Sequence, residues 1–523
     1  TWLAIGASIF ASNIGSEHLI GLAGAGASSG MAMAHWEIQG WMILILGWVF
    51  VPFYTRSMVY TMPEFLERRY NPQSRTILSV ISLVSYVLTK VAVTVYAGGL
   101  VFQQVFGIKE LWGIDFFWIA AIGLVVLTAL YTIFGGMKSV LYTSVLQTPI
   151  LLLGSLIILV LGFKELGGWD EMMRVCGAVT VNNYGDTMTN LIRSNDDANF
   201  PWLGALIGSA IIGFWYWCTD QFIVQRVLSG KNEMEARRGT IFGAYLKLLP
   251  VFLFLIPGMI AFALHQKYIG AGGEGFLPML ANGTANADAA FPTLVAKLLP
   301  AGVKGLVVCG ILAALMSSLA SLFNSSAMLF TIDFYKRFRP ETPEKKLVGI
   351  GQVATVVIVI LGILWIPIMR SVGDVLYTYL QDVQSVLAPG IAAAFLLGIC
   401  WKRTSAQGGM WGLIAGMVIG LTRLGAKVYY SNAGEVADST FKYLFYDMNW
   451  LFFCGWMFLF CIIVVIVVSL ATKAPTAEKI QGLVFGTATK EQKAATRASW
   501  NHWDIIHTVI ILAITGAFYW YFW

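Results

Sequence analysis

The sequence predicts an all-α polytopic membrane protein, and three observations carry that reading. Of 523 residues, 58% are hydrophobic and only 12% charged, against roughly 25% charged in soluble proteins, and mean hydropathy is +0.73. Apolar runs long enough to cross a bilayer as helices recur thirteen times along the chain. Two of these runs, the first and the sixth, are interrupted by polar and small residues at membrane depth, which is tolerated only where backbone lines a cavity or is buried in protein. This composition excludes a soluble enzyme, a nucleic-acid binder and a disordered scaffold, and helical spans of this length exclude a β-barrel.

The expected spans are 2–26, 36–54, 77–106, 116–134, 140–163, 202–228, 241–264, 305–330, 349–368, 376–400, 408–424, 450–471 and 505–521. Basic residues cluster after the second span (Arg56, Arg68, Arg69, Arg75), the sixth (Arg226, Lys231, Arg237, Arg238), the eighth (Lys336, Arg337, Arg339), the tenth (Lys402, Arg403) and the twelfth (Lys473, Lys479). By the positive-inside rule these connections are cytoplasmic, with Thr1 inside and Trp523 outside. The expected location is a cell membrane, read as the inner membrane of a bacterium. The stretches 164–201 and 266–303 read as external caps, and 472–500 as a polar cytoplasmic linker. The sequon at Asn282 reads as a chance occurrence. The six cysteines lie mostly in apolar runs and imply no disulfide framework.

The first span carries Ser12-Asn13-Ile14-Gly15-Ser16-Glu17-His18, and the sixth carries Gly213-Phe214-Trp215-Tyr216-Trp217-Cys218-Thr219-Asp220. One such break is ordinary helix packing. Two of them five helices apart are what two five-helix repeats produce when each begins with a broken helix, and transporters built from inverted repeats place their substrate there. Ionisable residues inside spans point the same way, because each is costly in lipid. Glu37 opens the second span, Lys247 lies in the seventh and Gln381-Asp382 in the tenth, and together they mark a polar cavity. Lys90 in the third fits a structural ion pair as well as a ligand. Ser317 and Ser318 in the eighth read either as helix–helix glue or as hard oxygen ligands for an alkali cation.

Phe10-Ala11-Ser12-Asn13-Ile14-Gly15-Ser16, Trp215-Tyr216-Trp217-Cys218-Thr219-Asp220-Gln221, Tyr245-Leu246-Lys247-Leu248, Met316-Ser317-Ser318-Leu319 and Phe395-Leu396-Leu397-Gly398 resemble the sodium/glucose cotransporter branch of the sodium/solute symporters. The resemblance implies a LeuT-like fold: a first repeat over 1–163, an extracellular loop over 164–201, a second repeat over 202–400, and accessory helices with a cytoplasmic linker over 401–523. It also implies alternating-access symport of a hexose with sodium as the coupling ion. The backbone carbonyls of Ala11, Ile14 and Ala314 and the hydroxyls of Ser317 and Ser318 would bind the sodium. Asn13, His18, Glu37, Lys247 and Gln381 would hold the sugar, with Tyr216 stacked on its ring as an inner gate and Trp217 beside it. Leu22, Trp36 and Tyr377 would form the outer lid. Such a set suits a hexose, whose many hydroxyls lose water on entry and need both donors and acceptors, while an aromatic face covers the apolar C–H surface. Two positions depart from the family pattern: Gly213, where relatives often carry a polar side chain, and Ser144, where many carry an aspartate tied to a second cation.

Rival readings are a symporter of another small solute such as a polyol or amino acid, a sugar-gated sodium channel or sensor, and a membrane enzyme. Glu37 disfavours an anionic solute. The five histidines carry no HExxH motif, and His35-Trp36-Glu37 has no partnering cysteine pair, so no catalytic or zinc site is expected. The partners expected are the sugar and the lipid bilayer, with no nucleic acid and the oligomeric state open.

Overall fold

The computed structural model describes all residues except 16, 58, 60, 281, 282, 373, 374 and 434–436, and no side chains at 131, 133–148 and 370–372. Asn282 of the sequon and the side chain of Ser144 therefore lie outside the described residues.

Among the described residues the molecule is a helical assembly with one two-stranded hairpin, Glu110–Leu111 paired with Ile114–Asp115. Eleven helices among the described residues are long and apolar enough to cross a membrane, with two shorter apolar helices, Trp2–Asn13 and Phe116–Leu130. The boundaries at 376–400 and 450–471 are those expected, but the count of thirteen is not reproduced. The second half of the first span runs on with the second span as Glu17–Ser57. The fourth and fifth spans form one helix, Phe116–Leu166, with Pro149 inside it. The glycines at 135 and 136 between the two expected spans do not end the helix, since glycine costs a helix only ~1 kcal/mol per residue.

The first span breaks where expected. Helix Trp2–Asn13 ends at Ile14, whose backbone is extended (φ −82°, ψ 102°), and the chain resumes as a π-helical stretch, Glu17–Leu22, and a helix, Ala23–Ser29. The sixth span runs as Trp202–Gly213 and a π-helical Phe214–Thr219, and breaks at Asp220 (φ −76°, ψ 128°). Asp220 then caps Gln221–Leu228, its Oδ1 accepting the Phe222 N–H at 3.1 Å and the Tyr86 hydroxyl at 3.2 Å.

The seventh span grips both halves of the broken first span. Its segment Glu233–Leu246 packs on Trp2–Asn13, and Ile256–Gly270 packs on Ala23–Ser29. The second contact is backbone on backbone: a Cβ on Gly26 would lie 2.2 Å from the Leu255 carbonyl, and one on Gly258 2.0 Å from the Ala23 carbonyl. Small residues permit this approach. Between its two segments the seventh span turns at Lys247-Leu248, just before Pro250, which lacks an N–H and disfavours helix in the residue before it. This turn thus lies level with the break in the first span.

The chain start lies beside the segment after the sixth span, where the Trp2 N–H donates to Glu235. Its end lies against the 164–201 stretch, where the Leu191 N–H donates to the Phe522 carbonyl at 2.8 Å.

Candidate functional site

The breaks, the seventh-span turn and the start of the tenth span converge on one polar cavity. Its walls include Asn13, His18, Trp36, Tyr216, Trp217, Lys247, Tyr377 and Gln381, all expected as solute or gate residues, and it offers about 40 Å³ to water-sized occupants. That is room for one or two waters, so a monosaccharide enters only if the lining side chains move apart.

Glu37 is wholly buried and, although expected to line the site, does not itself border the cavity; residues that do border the cavity hold Glu37 from behind. Its Oε2 accepts from Lys247 Nζ at 2.6 Å and its Oε1 from the Tyr377 hydroxyl at 2.6 Å. His18 Nε2 lies 3.3 Å from Glu37 Oε2 and 3.0 Å from Asn13 Nδ2. A carboxylate can be buried only when paired and hydrogen-bonded, and three different spans supply its partners. Lys247 reaches it because the seventh-span turn ends the helix there, and its ammonium also sits 5.4 Å over the Trp217 ring. Among the described residues His18 Nδ1 and Gln381 Oε1 are buried without a hydrogen-bond partner, so the wall keeps polar capacity for a polar guest.

Four aromatic residues border the cavity: Trp36, Tyr216, Trp217 and Tyr377. Tyr216 lines the cavity, with Trp217 edge-on at 5.0 Å and Lys90 Nζ 4.8 Å over its ring. Trp36 stacks on Trp450 at 5.5 Å, with Phe200 edge-on at 6.1 Å, and Tyr377 sits edge-on to His18 at 6.3 Å. Leu22 is fully buried and does not border the cavity.

Five further polar or apolar lining residues escaped the sequence reading as ligands: Glu17, Gln39, Ile212, Leu380 and Gln384. Gln384 was findable, since it lies one turn from Gln381 on the same helix face. Glu17 was visible within the broken segment. Gln39 lies outside regular helix, where periodicity says nothing.

Ala11, Ile14, Ala314, Ser317 and Ser318 are not among the residues that border this cavity. A Cβ on Gly15 would lie 3.0 Å from Ser318 Oγ, so the break and the eighth-span hydroxyl face each other. Extended backbone at Ile14 leaves the last carbonyls of helix Trp2–Asn13, Ala11's among them, short of helical partners. Ala314 and Ser318 are four apart on one helix face of Ala301–Met328. Among the described residues no cluster of three or more His, Cys, Asp or Glu could hold a metal.

Comparison with known proteins identifies the family and the fold. A profile of the Sodium:solute symporter family matches residues 1–416. Sodium/myo-inositol cotransporter 2 of Homo sapiens is 37% identical over 499 residues, covering 93% of this chain and 73% of that protein. Sodium/glucose cotransporter 1 of Ovis aries is 39% identical over 490 residues, covering 90% of this chain and 73% of that one. Among solved structures, a substrate-bound, outward-open Na+-coupled sialic acid symporter superposes with a TM-score of 0.67 at 22% identity, covering 91% of each chain. A manganese transporter of Eremococcus coleocola superposes with a TM-score of 0.51 at 14% identity, covering 89% of this chain and 94% of that one. The fold is LeuT-like, and the protein is a multi-pass membrane transporter, not an enzyme. The chain belongs to the sodium:solute symporter family and is a sodium-coupled solute symporter.

Proposed function

We propose that this symporter carries a neutral polyhydroxylated solute, a hexose in the first instance, and that the cavity around Glu37 is its binding site. The observation that supports this most is the donor and acceptor set at the cavity: carboxylate, ammonium, imidazole, phenol and amides within one enclosure. A solute with hydroxyls on every side exchanges water for such partners without leaving charge unmatched. Glu17 at the cavity wall disfavours an anionic solute in a low-dielectric site. Asn13, His18, Glu37, Lys247 and Gln381 bind hydroxyls, and the Tyr216 face covers the ring with Trp217 beside it. Trp36, Tyr377 and Leu22 shut the outer side. The relatives named for myo-inositol and for glucose make a cyclic polyol the alternative within the same chemistry.

Sodium binds at the break, on the carbonyls of Ala11, Ile14 and Ala314 and the hydroxyls of Ser317 and Ser318. Coupling follows from the shared element: residues 11–14 would ligate the ion while Asn13 and His18 reach the solute, so the ion orders the segment the solute needs. On this reading 1–163 and 202–400 form the two repeats that rock about the site.

Uptake of a labelled panel of hexoses, cyclic polyols and amino acids into proteoliposomes, with and without a sodium gradient, tests the assignment. A hexose or cyclic polyol should accumulate only with sodium, and Glu37→Ala and Gln381→Ala should each impair its binding. Preferred uptake of an amino acid, or solute-evoked current without solute uptake, would refute it.

A further inference from the structure

Gly213 stands one turn before Tyr216 and leaves the cavity wall without a side chain. Something else fills that space. A Cβ on Gly213 would lie 2.4 Å from Gln39 Oε1 and 2.9 Å from its Cδ, so a carboxamide from 174 positions earlier in the chain occupies the volume a side chain at 213 would take. Gln39 is 2% exposed and borders the cavity together with Gly213. Its Nε2 donates to the Ser209 carbonyl at 2.8 Å. That bond fixes the amide's rotation, because only the nitrogen can donate, and it leaves Oε1 as the acceptor beside position 213.

We propose that Gln39 is a specificity-determining solute ligand, its Oε1 accepting a hydrogen bond from one hydroxyl of the solute, and that glycine at 213 is what admits it. The proposal rests on the reading of this cavity as the solute site. An amide held in advance loses little freedom on binding. A site built to bond a hydroxyl rejects the analogue that lacks it, since the buried acceptor is then left unpaired. A plain brace between residue 39 and the sixth span would show no such preference for one hydroxyl.

The test uses full-length protein in proteoliposomes, the best-transported hexose or cyclic polyol, and its complete series of monodeoxy analogues. Gln39→Met keeps the volume and removes the acceptor. It should weaken the half-saturation for the parent solute by ~5- to 100-fold and leave that for one monodeoxy analogue unchanged, so that discrimination collapses at a single hydroxyl. Gly213→Ala pushes the amide aside and should collapse discrimination at the same hydroxyl. The pair together should be no worse than the worse single variant, because both remove one contact. Should Gln39→Met fail to insert, Gly213→Ala carries the test alone. A loss spread evenly over the series, or discrimination equal to wild type, overturns the role of Gln39. Wild-type vesicles that take up no polyhydroxylated solute under a sodium gradient overturn the cavity reading instead.

Discussion

Lys247→Met should be far more damaging alone than together with Glu37→Gln. The two side chains are 4% and 0% exposed, and their charged atoms meet at 2.6 Å. Without the ammonium, the carboxylate keeps only the Tyr377 hydroxyl and the His18 ring as partners. Breaking a buried ion pair by removing one partner costs about 3–5 kcal/mol, whereas replacing both members by uncharged groups of similar volume is often neutral. Each single neutralisation therefore destabilises by ~3–5 kcal/mol, and the double variant should recover most of that loss, a coupling of ~3 kcal/mol or more. Reversible unfolding in mixed micelles, followed by tryptophan fluorescence, measures it, with Trp217 lying 5.4 Å from the ammonium as a local reporter. Solute binding should be lost in all three variants. Additivity of the two substitutions within ~0.5 kcal/mol would refute the reasoning, since it would mean that the charges do not sense each other.

Ser318→Ala removes an oxygen that faces the first-span break and should raise the sodium half-saturation of transport by roughly 5- to 150-fold, the equivalent of ~1–3 kcal/mol for a lost buried partner; an unchanged value returns the serine to helix packing. Tyr216→Phe should be much milder than Tyr216→Ala in solute half-saturation, because the ring face does the stacking; equal damage would assign the function to the hydroxyl. One sodium should cross per solute, with a sodium Hill coefficient near one, because Ser144 supplies no carboxylate for a second ion. At ~100 mV that ion gains about 2.3 kcal/mol, and a tenfold gradient adds about 1.4 kcal/mol, so a reversal potential indicating two charges per solute overturns it. In the 164–201 cap, burial raises the Asp186 carboxyl, but hydrogen bonds from the Asn182 amide and the Ser194 N–H outweigh it and hold the group below its ordinary value. A depressed carboxyl stabilises above its unfolded pKa of ~3.9 and loses that contribution as pH falls through its folded value. Limited proteolysis of the cap should therefore accelerate below pH ~4 in wild type and show a weaker acid dependence in Asp186→Asn.

Some of this was written in local sequence. Spans 376–400 and 450–471 follow from hydropathy alone, because lipid forces every backbone group to bond within its own helix. The first-span break was legible from the cost of polar groups in lipid: Asn13, Glu17 and His18 are expensive to expose to hydrocarbon. Glu37, Lys247 and Gln381 announced themselves by the cost of charge and amide groups in a span. Tertiary structure decided what these residues do to one another. That Lys247 meets Glu37 joins residues 210 positions apart in the chain, and Gly26 and Gly258 let the backbones of the first and seventh spans touch. That Gln39 fills the space at Gly213 joins positions far apart in the chain, and no periodicity carries such a pairing. The fourth and fifth spans show the converse: hydropathy divided them into two spans, and one helix runs through both. Local chemistry states what each residue cannot tolerate, whereas the choice of partner is made by packing between helices distant in sequence.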